Sequence, residues 1–129
     1  MPPEIMCPAV GQGALAIEIR RNDDAVRAGL QFMDHAETRA AVECERALLG
    51  GLGGGCQVPV GALAVKNNDY LLLTAMAGRP DGTQVLREQR SGNDPVKLGR
   101  EVGQMLLGRG ADKILKEIYG QEAAAPVQP

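Results

Sequence analysis

Three cysteines lie in this chain of 129 residues, in three different settings. Cys56 ends a run of glycines, Gly53-Gly54-Gly55, and is followed by Gln57-Val58-Pro59-Val60-Gly61. Glycine has no Cβ, so such a run takes positive φ angles freely and lets a large group come close. The residues after Cys56 alternate and include Pro59, the pattern of an edge strand. A thiol displayed between a bare loop and a strand suits a nucleophile or a covalent attachment point, the thiolate being the reactive form. On the residues alone, a small side chain filling a loop is an equal reading, because reactivity depends on surroundings that spacing does not reveal.

The other candidates carry less. Gly11-Gln12-Gly13 could cradle an anion through its backbone amides, but a lone Gly-x-Gly serves equally well as a plain turn before a strand. Cys44 falls on the apolar stripe of a helix and reads as core, where a free cysteine packs as a small hydrophobe. Cys7 lies in an N-terminal loop with no evident partner. The cysteines lack the short spacing of metal ligands and there is one histidine, so no metal site is expected. That histidine, His35, reads as a solvated residue at a helix start. Arg20 and Arg21 stand where a strand end commonly carries charge, and no site is assigned to them. The charges along 87–101 read as a solvated face.

Composition narrows the classes further. Aromatic residues make up 2% of the chain, with one Phe and no Trp, so the core must be aliphatic. The same lack, with a formal net charge of −2, speaks against nucleic-acid binding by stacking or by a basic field. No apolar run approaches the roughly 20 residues that span a bilayer, so no membrane partner is expected. Pro2, Pro3 and Glu4 do not read as a signal or transit peptide. An odd number of cysteines is unlike a secreted disulfide framework, and a reducing cytoplasm is the simple expectation.

The elements that must position these residues follow from periodicity. Leu15, Ile17 and Ile19 alternate with polar or small residues, predicting a half-buried strand over 14–20. Asn22-Asp23-Asp24 opens a helix with Val26, Leu30 and Met33 on one side. A second helix is predicted from Asp34, with Glu37 completing a capping box and Ala41, Cys44, Leu48 and Leu52 as its stripe. Residues 57–66, 70–77 and 84–90 read as three strands joined by short turns at 67–69 and 78–82, hence antiparallel neighbours. Asp94 and Pro95 start another helix, with Leu98, Val102, Met105 and Leu106 inward, stopping at Gly108 or Gly110. A last helix carries Ile114, Leu115 and Ile118, and 121–129 reads as a disordered tail. The fold class is α+β: a three-stranded antiparallel sheet with helices packed on one face, preceded by an extended segment.

Three pieces occur in one order: Pro8-Ala9-Val10-Gly11-Gln12-Gly13-Ala14-Leu15, then Glu45-Arg46-Ala47, then Gly54-Gly55-Cys56-Gln57-Val58-Pro59. Together they resemble the porphobilinogen deaminase (hydroxymethylbilane synthase) family, over about Met6 to Gly120. Pro80-Asp81-Gly82-Thr83 matches the family's turn between its last two strands less specifically. The resemblance implies a transferase of tetrapyrrole, and so porphyrin and heme, biosynthesis that condenses four porphobilinogen molecules into hydroxymethylbilane with loss of ammonia. It implies that Cys56 holds the dipyrromethane cofactor through a thioether, and that Gln12 and Gly13 approach that cofactor. A soft sulfur nucleophile suits the electrophilic methylene left when ammonia departs. One departure stands out: the family usually has an acidic residue where this chain has Gly53.

The resemblance also divides the chain. It implies that 1–21 belongs with the parent enzyme's first domain, leaving its strand orphaned, and that 22–120 is the C-terminal cofactor-anchoring domain. The family's catalytic aspartate and substrate-binding arginines have no matching segment here, so no catalytic residue is expected in this fragment. Alone, it is expected to be inactive and to carry a free Cys56 thiol. Residues 14–20 are then expected either to be disordered or to pair with another chain. Two other classes stay open: a stand-alone binding or interaction module with a free Cys56, and a small thiol enzyme that would need a nearby base.

Overall fold

A computed structural model describes the backbone of residues 2–53 and 59–121. The elements are α1 (Asp24–Leu30), α2 (Ala36–Gly51), β1 (Val60–Asn67), β2 (Tyr70–Gly78), β3 (Val85–Gly92), α3 (Pro95–Leu106) and α4 (Asp112–Gln121). The strands form one antiparallel sheet in the order β1-β2-β3. The first turn places Asn68 at φ 51°, a left-handed angle that asparagine tolerates. In the second, Asp81 accepts hydrogen bonds from the Thr83 amide and hydroxyl, and Gly82 sits at φ 74°.

One face of the sheet is apolar because alternate residues point to it. Val60, Ala62 and Ala64 of β1 join Leu71, Leu73, Ala75 and Ala77 of β2 and Leu86 of β3. Against them lie Cys44, Leu48 and Leu52 of α2, Leu98, Val102 and Leu106 of α3, and Ala111, Ile114 and Leu115. The core is aliphatic, as the composition requires; Phe32 is 85% exposed. Helices α2 and α3 meet backbone to backbone. A Cβ added at Gly99 would stand 2.2 Å from the carbonyl oxygen of Cys44 and 2.8 Å from Ala47 Cβ. Gly110, at φ 107°, breaks the helical path between α3 and α4.

The opposite face carries a strap. Gly61, Met76 and Arg87 form one row across the three strands. Arg87 Nη1 donates to the Glu4 carbonyl at 2.7 Å. Cys7 lies over Gly61, where an added Cβ would come within 3.0 Å of the Cys7 and Pro8 carbonyl oxygens. Ala9 then bridges Gly61, and the Ala62 amide donates to the Pro8 carbonyl at 2.9 Å. Residues 4–9 therefore cross from β3 to the outer edge of β1.

Several expectations are corrected by tertiary context. Residues 14–20 form no strand and have no strand partner among the described residues; Leu15 is fully exposed. Alternation records which side chains are to be buried, but a strand needs a hydrogen-bonded neighbour. The Val26, Leu30 and Met33 stripe of the first helix is likewise uncovered, and α1 has no buried residue. Helix α2 begins at Ala36, capped by His35 rather than Asp34; His35 Nδ1 accepts from the Thr38 amide while Asp34 pairs with Arg39. The side chain that reaches the free amide sets the cap, and here the imidazole reaches it. Gln57 and Val58, expected to begin the first strand, lie outside the described residues, as does 122–129 of the expected tail.

Candidate functional site

The structure gathers two of the three sequence pieces around one carboxylate. Glu45 sits on α2 among Ala41, Cys44 and Leu48 and is only 4% exposed. Its Oε1 accepts from the Ala64 amide of β1 at 2.8 Å, and its Oε2 accepts from the Gly11 amide at 2.8 Å. Each oxygen thus satisfies a backbone N–H that the sheet and the helices leave unmade. A buried carboxylate is costly without such donors.

Gly11 and Gly13 sit at φ 76° and 79°, so the loop they form with Gln12 turns through left-handed backbone at both ends. Gln12 and Gly13 are exposed. The loop is held by the Gln12 amide donating to the Ala9 carbonyl, by the Ala9–Gly61 bridge and by Gly11 on Glu45. Gly61 lies five residues beyond Cys56 in the sequence. Cys56 itself, with Gly54 and Gly55, lies outside the described residues.

The other two thiols are placed, and burial holds both toward the protonated form. Cys44 is wholly buried and Cys7 nearly so, and both are free of disulfides. Burial, helped by the neighbouring Glu45 carboxylate, pushes the Cys44 thiol up to about 11. Burial also raises the Cys7 thiol, partly opposed by the Arg87 guanidinium; its Sγ faces the Thr74 carbonyl at 3.9 Å. His35 caps α2, its Nδ1 meeting the Thr38 amide and hydroxyl. Arg20 pairs with Asp23, an exposed contact worth little.

Cys44 gives the domain a defined response to alkali. Its folded pKa lies above the ordinary 9.0, so the folded state keeps the proton longer. That stabilisation is complete below pH 9 and is lost as pH rises toward 11. The urea midpoint is expected to fall across that window, and to fall less in Cys44→Ala. Equal falls in the two proteins would refute the assignment.

Sequence reasoning missed Glu45 as a tie, although a signal of its burial was present. It stands four residues after Ala41 and three before Leu48, which puts a charge on the buried side of a helix. Among the described residues, no group of three or more His, Cys, Asp or Glu is placed to hold a metal ion, and no helix is long and apolar enough to cross a membrane.

A three-stranded antiparallel sheet under two closely packed helices, α2 and α3, defines a small α+β domain. The chain belongs to the porphobilinogen deaminase C-terminal domain family, whose pattern matches residues 39–108. It is 50% identical over 119 residues to a porphobilinogen deaminase of Brevibacillus brevis, covering 92% of this chain and 38% of that protein. The corresponding enzyme of Listeria monocytogenes is 42% identical over 118 residues, with the same coverage. That of Desulforamulus reducens is 44% identical over 124 residues, covering 95% of this chain and 40% of the relative. The chain thus spans about two fifths of the length of the curated relatives it matches.

Proposed function

We propose that this chain is the cofactor-anchoring part of a porphobilinogen deaminase, with Cys56 as the residue that fixes the dipyrromethane. The observation that carries this reading is an elimination. Two of three thiols are buried and raised away from the thiolate, and Cys56 falls inside the matched span 39–108. A nucleophilic sulfur also fits the group to be held: the thiolate forms one C–S bond to the methylene carbon as ammonia leaves. A thioether, unlike a disulfide, is not cut by cellular thiols.

When bound, the dipyrromethane supplies the pyrrole end onto which further porphobilinogen is condensed. The chain's own residues hold and orient. Helix α2 and strand β1 fix the two ends of the Cys56 connection, and Glu45 ties the Gln12-Gly13 loop to both elements. Gln12 offers an exposed carboxamide on that loop and Gly13 a backbone without a side chain in the way. Acid–base groups and cations for the pyrrole carboxylates come from the rest of the protein, to which residues 14–20 would be joined as a strand. The setting is the cytoplasm.

The alternative of a small thiol enzyme needs a base beside Cys56, and the chain's one histidine, His35, is instead engaged as the cap of α2 through the Thr38 amide.

Intact mass and peptide mapping of the complete protein test the proposal. The wild type is expected to carry a dipyrromethane on the peptide containing Cys56. Cys56→Ser is expected to lose both the adduct and hydroxymethylbilane production. An adduct on another residue, or turnover retained in Cys56→Ser, would overturn it.

A further inference from the structure

We infer that Glu45 is a positioning residue: its carboxylate locks the Gly11–Gly13 loop to strand β1, so that the loop and the strand leading from Cys56 keep one fixed relation. The inference rests on the reading of Cys56 above and adds to it the part that holds the two pieces in register. The two oxygens divide the work. One accepts from the edge of the sheet, at Ala64 of β1, and the other from the loop, at Gly11. The helix that carries Glu45 also leads into the Cys56 connection: α2 ends at Gly51, five residues before Cys56 in the sequence. Gly11 has φ 76°, so the amide is aimed at the carboxylate by a backbone shape that other residues resist. A neutral amide of the same size cannot replace the acid. Glutamine has one acceptor oxygen, and its NH2 group would face either the Gly11 or the Ala64 N–H, donor against donor.

The two Glu45 bonds go to the backbone amides of Ala64 and Gly11 and not to the core side chains, among which Cys44, Leu48, Leu73 and Val102 are fully buried. A loosened Glu45 tie therefore predicts a misplaced loop on an intact domain. Displacements of about 1 Å at a reacting centre cost on the order of 100-fold in rate, with little effect on binding remote from it.

Glu45→Gln in the complete protein is the test, read in two ways. By amide hydrogen exchange, Gly11 or Ala64 is expected to lose protection about 10-fold or more, as one of two bonds is removed at roughly a factor of ten per 1.4 kcal/mol, while Leu48 and Val102 keep theirs. By kinetics, the rate of dipyrromethane attachment and kcat are expected to fall about 10-fold or more, with KM for porphobilinogen within about twofold. Glu45→Asp, an acid too short to reach both amides, is expected to fall likewise, so charge alone gives no rescue. Unchanged exchange at both Gly11 and Ala64, or unchanged kcat with protection lost, would overturn the inference. If the wild type carries no adduct at Cys56, the anchoring reading fails, and exchange at Gly11 and Ala64 still decides whether the tie exists.

Discussion

Gly99→Ala is expected to destabilise the domain by about 3 kcal/mol or more, the upper part of the range for overpacking. The new Cβ would lie 2.2 Å from the Cys44 carbonyl oxygen, 2.8 Å from the Leu48 amide nitrogen and 2.8 Å from Ala47 Cβ. Two of those atoms are α2 backbone and the third is bonded to it, so no rotamer change relieves the overlap. The helices must part, and parting them opens the core around Leu48 and Val102. Gly103→Ala supplies the control one turn away. There the nearest atom, the Leu48 carbonyl oxygen, is 3.3 Å off. Alanine also favours helix over glycine by up to about 1 kcal/mol, so Gly103→Ala should fall within about 1 kcal/mol of wild type. Urea denaturation of both variants checks the pair. Equal effects at the two glycines would show that the α2–α3 approach is looser than described.

The second large effect is expected from Glu45→Ala. Truncation leaves the Ala64 and Gly11 amides without their acceptor, and an unsatisfied buried N–H costs about 1–3 kcal/mol. Relief of the buried charge offsets part of that, so a net loss of about 3 kcal/mol is expected. The loss should be uneven. Gly11 is the last fastening of the strap that covers Cys7, so the strap should lift before the sheet opens. In a Cys56→Ser background, alkylation of Cys7 by iodoacetamide should accelerate in Glu45→Ala while Cys44 stays protected. Unchanged Cys7 labelling would contradict the link between carboxylate and strap.

The sheet and the inward helix faces were legible in the sequence because local and tertiary signals agree there. Asn68 and Gly82 make the turns, and Asp94-Pro95 starts α3 where expected. Cys44, with no local sign of reactivity, is buried as its stripe position indicates. The failures share a cause. Over 14–20 and along α1 the periodicity is real, but its burial partner is not among the described residues, so the pattern does not become packing. At the start of α2 two adjacent residues, Asp34 and His35, could cap the same amides, and only geometry chooses between them. The Glu45 tie was hidden for a different reason: its two donors are 34 and 19 residues away in sequence. No local pattern encodes bonds of that span.

The strap has a consequence for how this molecule meets its own kind. At Gly61 and Ala62 the outer margin of the first strand is already occupied by Pro8 and Ala9, and on the far margin Arg109 takes the carbonyl of Arg87. A stray strand is therefore hindered along the start of β1 and at Arg87 of β3, two places where a small open sheet would otherwise offer free backbone. Among the exposed apolar side chains, Leu15, Ile17 and Phe32 stand off the sheet altogether, on the segment and helix turn that precede α2.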